Sequence, residues 1–382
     1  MLGEKYAACS THLKLNVGND PMHIAFIDSW IQTIAEGSGT AAGIGGLQRA
    51  LLARGHRVAR LAPPMRWPTN LTARRLLFNA SLPALLRTLR YDLVVGFDID
   101  GWQWSRVRPV GTPYLASIKG VIAEEMQHEG GRVRALFEGL SRLEAANARR
   151  ADAVITTSAY CRRAIEHHYG ITPARVRLVP EGIDLARWQR LVATVPHTSD
   201  GATILCVARQ YPRKHVADLL RALPLVRQSV PQVRAIIVGD GPEHAALRAL
   251  AAQLGLGNTA RFTGALPDAE LMRMYRRADV FCLPSVQEGF GIVFLEAMAS
   301  GLPVVATSAA AIPEVVPQRQ AGMLVPPGDV DALAAALTEL LGDAALRRTY
   351  GLAGQAHVVQ FDWERVADVF LQQVAPLMPR LP

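Results

Sequence analysis

The sequence predicts an α/β protein with parallel sheets arranged in two domains. Short apolar runs of strand type alternate with helix-length amphipathic segments along most of the chain. A unit of strand, glycine-bearing loop, helix and strand occurs at residues 23–58 and again at 280–306. At 382 residues the chain is long enough to bury two cores.

Half of the residues are hydrophobic and 19% are charged, which fits a globular chain and excludes a disordered one. The formal charge of +8 suits a protein that meets phosphates or an anionic lipid surface. Basic residues are scattered through amphipathic segments, with no aromatic-interleaved basic strip, so no nucleic acid partner is expected. Cys9, Cys161, Cys206 and Cys282 lie far apart without Cys-x-x-Cys or Cys/His spacing. They are expected to be reduced core residues, with no metal, in a reducing cytoplasm. No run approaches eighteen uninterrupted apolar residues, so the expected location is cytoplasmic, with peripheral contact at the inner face of the membrane as an option.

Taken in order, residues 1–21 are polar and aperiodic and are expected to form a loose extension. Residues 23–28 read as a first strand. Glu36-Gly37-Ser-Gly39 then opens a helix that ends at Gly55 and feeds a second strand. Gly37 and Gly39 permit a tight turn and close backbone approach to a phosphate, although α/β folds also use such a loop merely to turn. Residues 71–90 carry Arg74, Arg75, Arg87 and Arg90 among leucines, broken by Pro83. This stretch is either a solvated helix face over a core face or a docking face for an anionic membrane. Trp102 and Trp104 read as packing, with an acceptor pocket as the alternative. Residues 92–97 and 114–118 are further strands, the second ending at Lys119 and leading to a helix with His128. Residues 153–158 form a strand whose serine caps the next helix. The polar run 194–201 reads as the interdomain linker.

In the second domain, Arg209 leaves a buried strand and Lys214 opens a helix after a proline turn. Both cations can therefore converge above the carboxyl edge of the sheet, where open α/β sheets bind ligands. Residues 234–242 give the next strand and a turn with Gly239. In 284–301 a helix begins near Gly291, presents Ile292, Val293, Leu295 and Met298, and stops at Gly301 before Pro303. Its first amides and its dipole form an anion site. Glu288 lies just before that site and Glu296 just over one turn inside. Carboxylates so close to a phosphate repel it unless they accept hydrogen bonds from flanking hydroxyls, so the pair suggests a sugar on each side.

The stretch Glu288-Gly289-Phe290-Gly291-Ile292-Val-Phe-Leu-Glu296-Ala-Met-Ala-Ser-Gly301-Leu-Pro-Val-Val-Ala306 resembles the paired-glutamate motif of retaining glycosyltransferases of the GT-B fold, glycosyltransferase family 4. The resemblance runs from His23 onward and is strongest over 204–328. It implies two Rossmann-like domains facing across a cleft, an acceptor domain at 22–193 and a donor domain at 202–358. A helix at 361–378 crosses back to the first domain.

The resemblance implies that Arg209 and Lys214 clasp the nucleotide diphosphate, that Glu288 orients the donor sugar and that Glu296 holds the ribose. Gly37, Gly39, Gly239, Phe262, Gly289, Phe290, Gly291 and Ile292 complete the implied donor site, with the base met by backbone groups near Phe262. Many relatives carry a histidine where this chain has Lys119, which enters the catalytic set as a source of positive charge. Other departures are His215 for a usual glycine after the lysine, Glu181 for a frequent asparagine, and alanines at 309–311 for glycines, while Glu314 matches. The implied reaction moves a sugar, with retention, from a nucleotide-diphosphate sugar to a glycan or lipid-linked acceptor, in envelope or exopolysaccharide synthesis. It needs no cofactor, and Arg209, Lys214 and helix amides take the place of a metal. A catalytically silent GT-B subunit is the alternative, and a phosphorylase or nucleotide-sugar epimerase on the same scaffold is a third reading.

Overall fold

The computed structural model describes residues 20–30, 39–64, 67, 70–196, 198 and 201–378. Among the described residues, two sheets of six strands, parallel throughout, form the centres of two domains. The first runs β2-β1-β3-β4-β5-β6, with β1 His23–Ile27, β2 Arg57–Leu61, β3 Leu93–Phe97, β4 Tyr114–Ile118, β5 Ala153–Thr156 and β6 Val176–Leu178. The second runs β12-β11-β10-β7-β8-β9, with β7 Thr203–Val207, β8 Arg234–Val238, β9 Ala260–Gly264, β10 Val280–Leu283, β11 Val304–Thr307 and β12 Gly322–Val325. Strand order reverses between β1 and β3 in one sheet and between β7 and β10 in the other. Crevices at the carboxyl ends of those pairs are where such sheets take ligands.

The central strands are continuous apolar runs because helices cover both faces, and β3, β4 and β10 are buried along their whole length. Seven helices matter for the cleft. They are α1 Gly39–Ala53, α2 Leu71–Leu85, α3 Ala159–Tyr169, α4 Leu185–Thr194, α5 Ile292–Ala299, α6 Ile312–Val315 and α7 Trp363–Val374.

Pro83 does not break the 71–90 stretch: α2 runs through it, because Pro83 stands two residues from the end and removes only one amide. Arg75 of that stretch is buried, not part of a solvated face. Trp104 packs edge-on against Tyr114 with ring centres 5.3 Å apart, as packing predicts. No helix among the described residues is long and apolar enough to cross a membrane.

Helix α4 precedes the polar 194–201 run yet packs with the second domain. Leu185 lies in that core, Trp188 and Leu191 pack against it, and the Trp188 indole donates to Ser300 Oγ at 3.0 Å. The chain crosses from the first core to the second just before α4 and returns just before α7. The two crossings touch: Ile183 N donates to Phe361 O at 2.9 Å and Trp363 N to Ile183 O at 3.1 Å. Helix α7 then buries Trp363, Val366, Phe370 and Val374 in the first domain's core. Gly46 of α1 makes room for it, since a Cβ there would lie 2.1 Å from the Trp363 ring.

Candidate functional site

Both cations and both glutamates lie at the β7/β10 crevice. Lys214 Nζ donates to Glu288 Oε1 at 2.6 Å, and both side chains are largely buried. Arg209 leaves β7 with its guanidinium 5.8 Å from the Tyr211 ring centre, and Arg213 covers the same ring at 4.9 Å. The turn after β10 carries Glu288 into α5, whose N-cap Gly291 has φ +95°, a left-handed value that glycine takes without strain. The first amides of α5 have no partner within the helix and carry its positive dipole end. Glu296 accepts from the Tyr275 hydroxyl at 2.8 Å, and burial raises its pKa to about 7 against the lowering pull of that bond.

The other donor-site candidates divide by role. Gly39 opens α1 opposite the donor helix, where a Cβ would sit 3.7 Å from Ile292 Cδ1, so the two domains approach at that point. Gly37 lies outside the described residues. Gly239 has φ +112° and a Cβ there would meet Ala208 O at 2.1 Å, so its glycine lets the loops after β7 and β8 touch. Phe262 stacks edge-on against His244 at 5.7 Å. The Phe290 side chain is buried, with its ring edge-on to Phe361 at 5.5 Å. The Gly289 carbonyl points to the first domain, where Thr157 Oγ1 and Ser158 Oγ donate to it at 2.9 and 2.8 Å.

Lys119 does not stand open to the cleft as a ready phosphate ligand. Its ammonium is paired with Glu181, the side chains being 10% and 4% exposed. Two departures from the family pattern thus meet and neutralise each other. His215 and Ala310, where glycine is usual, have φ +48° and +51°. These left-handed values explain the glycine preference, and the His215 ring is held by Asp218 at 2.9 Å.

Several residues escaped the sequence reading. Gln210, fully buried, donates to Gly239 O at 3.0 Å and meets His244 Nδ1 at 2.8 Å, stitching the loops above the sheet. Tyr275, the partner of Glu296, gives no signal beyond an aromatic on a helix. The expectation that the sequence holds no Asp-x-Asp pair able to bind a divalent ion is corrected by two such pairs, Asp98/Asp100 and Asp329/Asp331. Asp329 caps a helix through Ala332 N at 2.8 Å. Asp98 and Asp100 are buried at the carboxyl end of β3, with the Trp30 indole donating to Asp98 at 2.9 Å and Ser29 N and Asn79 Nδ2 to Asp100 at 2.8 and 2.9 Å. The Arg75 guanidinium lies 3.7 and 3.8 Å from the two carboxylates. Burial still pushes the Asp98 pKa up to about 6.

Two α/β domains, each built on a parallel six-stranded sheet and meeting across a cleft, define the GT-B class. The family model for glycosyl transferases group 1 matches residues 191–357, and that for glycosyltransferase family 4 matches 38–187. The chain belongs to glycosyltransferase family 4. It is 35% identical over 250 residues to a glycogen synthase of Mycobacterium tuberculosis, covering 65% of this chain and 60% of the relative. It is 34% identical over 230 residues to a GDP-mannose-dependent alpha-(1-6)-phosphatidylinositol monomannoside mannosyltransferase of the same organism, covering 56% and 60%. These matches span about 60% of the length of those relatives. Among solved structures, a sucrose-phosphate synthase from Thermosynechococcus elongatus superposes with a TM-score of 0.78 at 25% identity, covering 93% of this chain and 98% of the other.

Proposed function

We propose that this protein is a retaining glycosyltransferase that moves a sugar from a nucleotide-diphosphate donor to a hydroxyl of a glycan or lipid-linked acceptor, in envelope or exopolysaccharide synthesis. The observation that carries the reading is the placement of Lys214 and Glu288 together at the N-terminal end of α5, with Glu296 just over one turn inside it. Cleavage of the anomeric C–O bond leaves a diphosphate whose charge grows in the transition state. Arg209, Lys214 and the α5 amides face that charge, so the chemistry is proposed to run without a divalent ion. When a donor binds, its phosphate takes over Lys214, and Glu288 is released to accept hydroxyls of the sugar. Glu296 is suited to the ribose because it is an acceptor on the same helix, one turn further in.

The acceptor hydroxyl attacks on the face from which the diphosphate leaves, and a phosphate oxygen takes its proton. Loss of Arg209 or Lys214 lowers the rate by about 10²- to 10³-fold. The test is a thermal-shift screen with UDP-, GDP- and ADP-sugars in chelator, repeated with Glu296→Ala. A stabilising donor whose effect disappears in the variant supports the reading and names the base. Absence of any response favours the silent-subunit alternative, for which the neutralised Lys119 is the motivating observation.

A further inference from the structure

The contacts that join the two domains converge on the donor turn from a part of the first domain to which the transferase reading gives no role. The Gly289 carbonyl, between Glu288 and the α5 N-terminus, accepts from Thr157 Oγ1 at 2.9 Å, from Ser158 Oγ at 2.8 Å and from Cys161 Sγ at 3.4 Å. Thr157 and Ser158 are buried, so water does not compete for these bonds. The backbones also touch: a Cβ on Gly289 would lie 2.2 Å from Lys119 O.

A second grip runs the other way. Glu314 on α6 of the second domain accepts from Ala159 N and Tyr160 N, each at 2.7 Å. These are the first two amides of α3, and Ser158 already caps the third, Cys161 N, at 3.1 Å. The helix end is thus capped jointly by its own domain's serine and by a carboxylate of the other domain, an arrangement that its dipole favours. The segment carrying Glu314 is tied to the donor turn in turn, since Ala311 N donates to Glu288 O at 3.3 Å.

We infer that Thr157, Ser158 and Glu314 are positioning residues: they lock the turn bearing Glu288 and the α5 amides only when the first domain has closed on it. The inference rests on the transferase reading above. A loosely held turn still binds nucleotide, because Arg209, Lys214 and Glu296 all lie on the second domain. Transfer requires the sugar-facing carboxylate and the amides to be placed within a fraction of an ångström. Cleavage is therefore fast only while these contacts hold the turn, whether an acceptor hydroxyl or water takes the sugar.

The experiment compares Thr157→Val and Glu314→Gln with the wild type. Calorimetry with UDP and GDP reads donor-site affinity. Release of UDP from UDP-glucose, or of GDP from GDP-mannose, reads bond cleavage, with water taking the sugar where no acceptor is added. The expected result is a Kd within about twofold of wild type, which also shows that each variant is folded. Nucleotide release falls about tenfold, on the scale of one lost hydrogen bond. Thr157→Ser, which keeps the hydroxyl, restores the rate. Rates within twofold of wild type in both variants overturn the inference, as does a parallel loss of affinity and rate, which marks a collapsed donor turn. Failure of the wild type to bind any nucleotide or nucleotide sugar overturns the transferase reading before a substitution is made, so the two failures are told apart.

Discussion

Replacing Lys119 by methionine tests whether this residue is a structural partner of Glu181. The two side chains are 10% and 4% exposed, and Glu181 Oε2 already has no hydrogen-bond partner. The space around them is tight, since a Cβ on Gly43 would lie 2.2 Å from Glu181 Oε2 and 2.9 Å from Lys119 Nζ. Methionine removes the cation and leaves the carboxylate enclosed, with little room for water to enter. Breaking one side of a buried pair costs about 3–5 kcal/mol. At about 2–4 °C per kcal/mol for a domain of this size, the melting point falls by about 6–20 °C. The double variant Lys119→Met with Glu181→Leu removes both charges and returns within about 1 kcal/mol of wild type or above it. Guanidinium unfolding monitored by tryptophan fluorescence measures all three proteins. A single variant that loses less than about 1 kcal/mol refutes the reasoning, and so does a double variant as unstable as the single one.

Three further predictions follow from the geometry. Ala310→Gly relieves a left-handed alanine worth about 1–2 kcal/mol against an unfolded-state penalty of about 0.4–1, so chemical denaturation shows a net gain of about 0.5–1 kcal/mol; a loss contradicts the strain assigned there. Glu296 has its folded pKa raised from an ordinary 4.5 to about 7, so its contribution to stability is full below pH 4.5 and is lost as pH rises through 7. If Glu296 binds the ribose as proposed, its ionised form accepts the hydroxyls, so UDP or GDP affinity weakens by up to about tenfold per pH unit below 7. Glu296→Gln flattens both profiles, and an unchanged pH profile in that variant rules out the assignment. Gly46→Ala drives a methyl into the Trp363 ring and costs about 1–3 kcal/mol, read as faster proteolysis near residue 361; wild-type protease resistance tells against the packing described.

The turn and helix proposed to bind the donor are legible in the sequence because their geometry is local. Gly291 and Gly301, at φ +95° and +79°, start and stop α5 where the glycines stand, and Glu288 and Glu296 are fixed by one turn and one short helix. Contacts made by residues distant in the chain are not legible. Lys119 and Glu181 are separate departures in the sequence, 62 positions apart, and only the fold shows them to be one pair. Glu314 is readable as a match, yet its partners lie about 155 positions earlier, on a helix whose end the sequence supplies with its own serine cap. Helix α4 carries a hydrophobic stripe that says it packs, without naming the core it joins, and the polar run after it is a poor guide to where the chain changes domain. His215 and Ala310 show the converse: a left-handed turn persists without glycine where neighbouring contacts hold it.

The paired crossings at Ile183 and at Phe361–Trp363 set the kind of motion open to the molecule. A single connecting strand would let one half twist, slide or swing against the other. Two strands lying side by side and bonded to each other resist torsion and sliding, much as two knuckles on one pin do, and leave a swing about their common line as the soft direction. Opening and shutting then reduce to one coordinate. Thr157, Ser158 and Glu314 return to the same partners each time the molecule shuts, with no search over orientation.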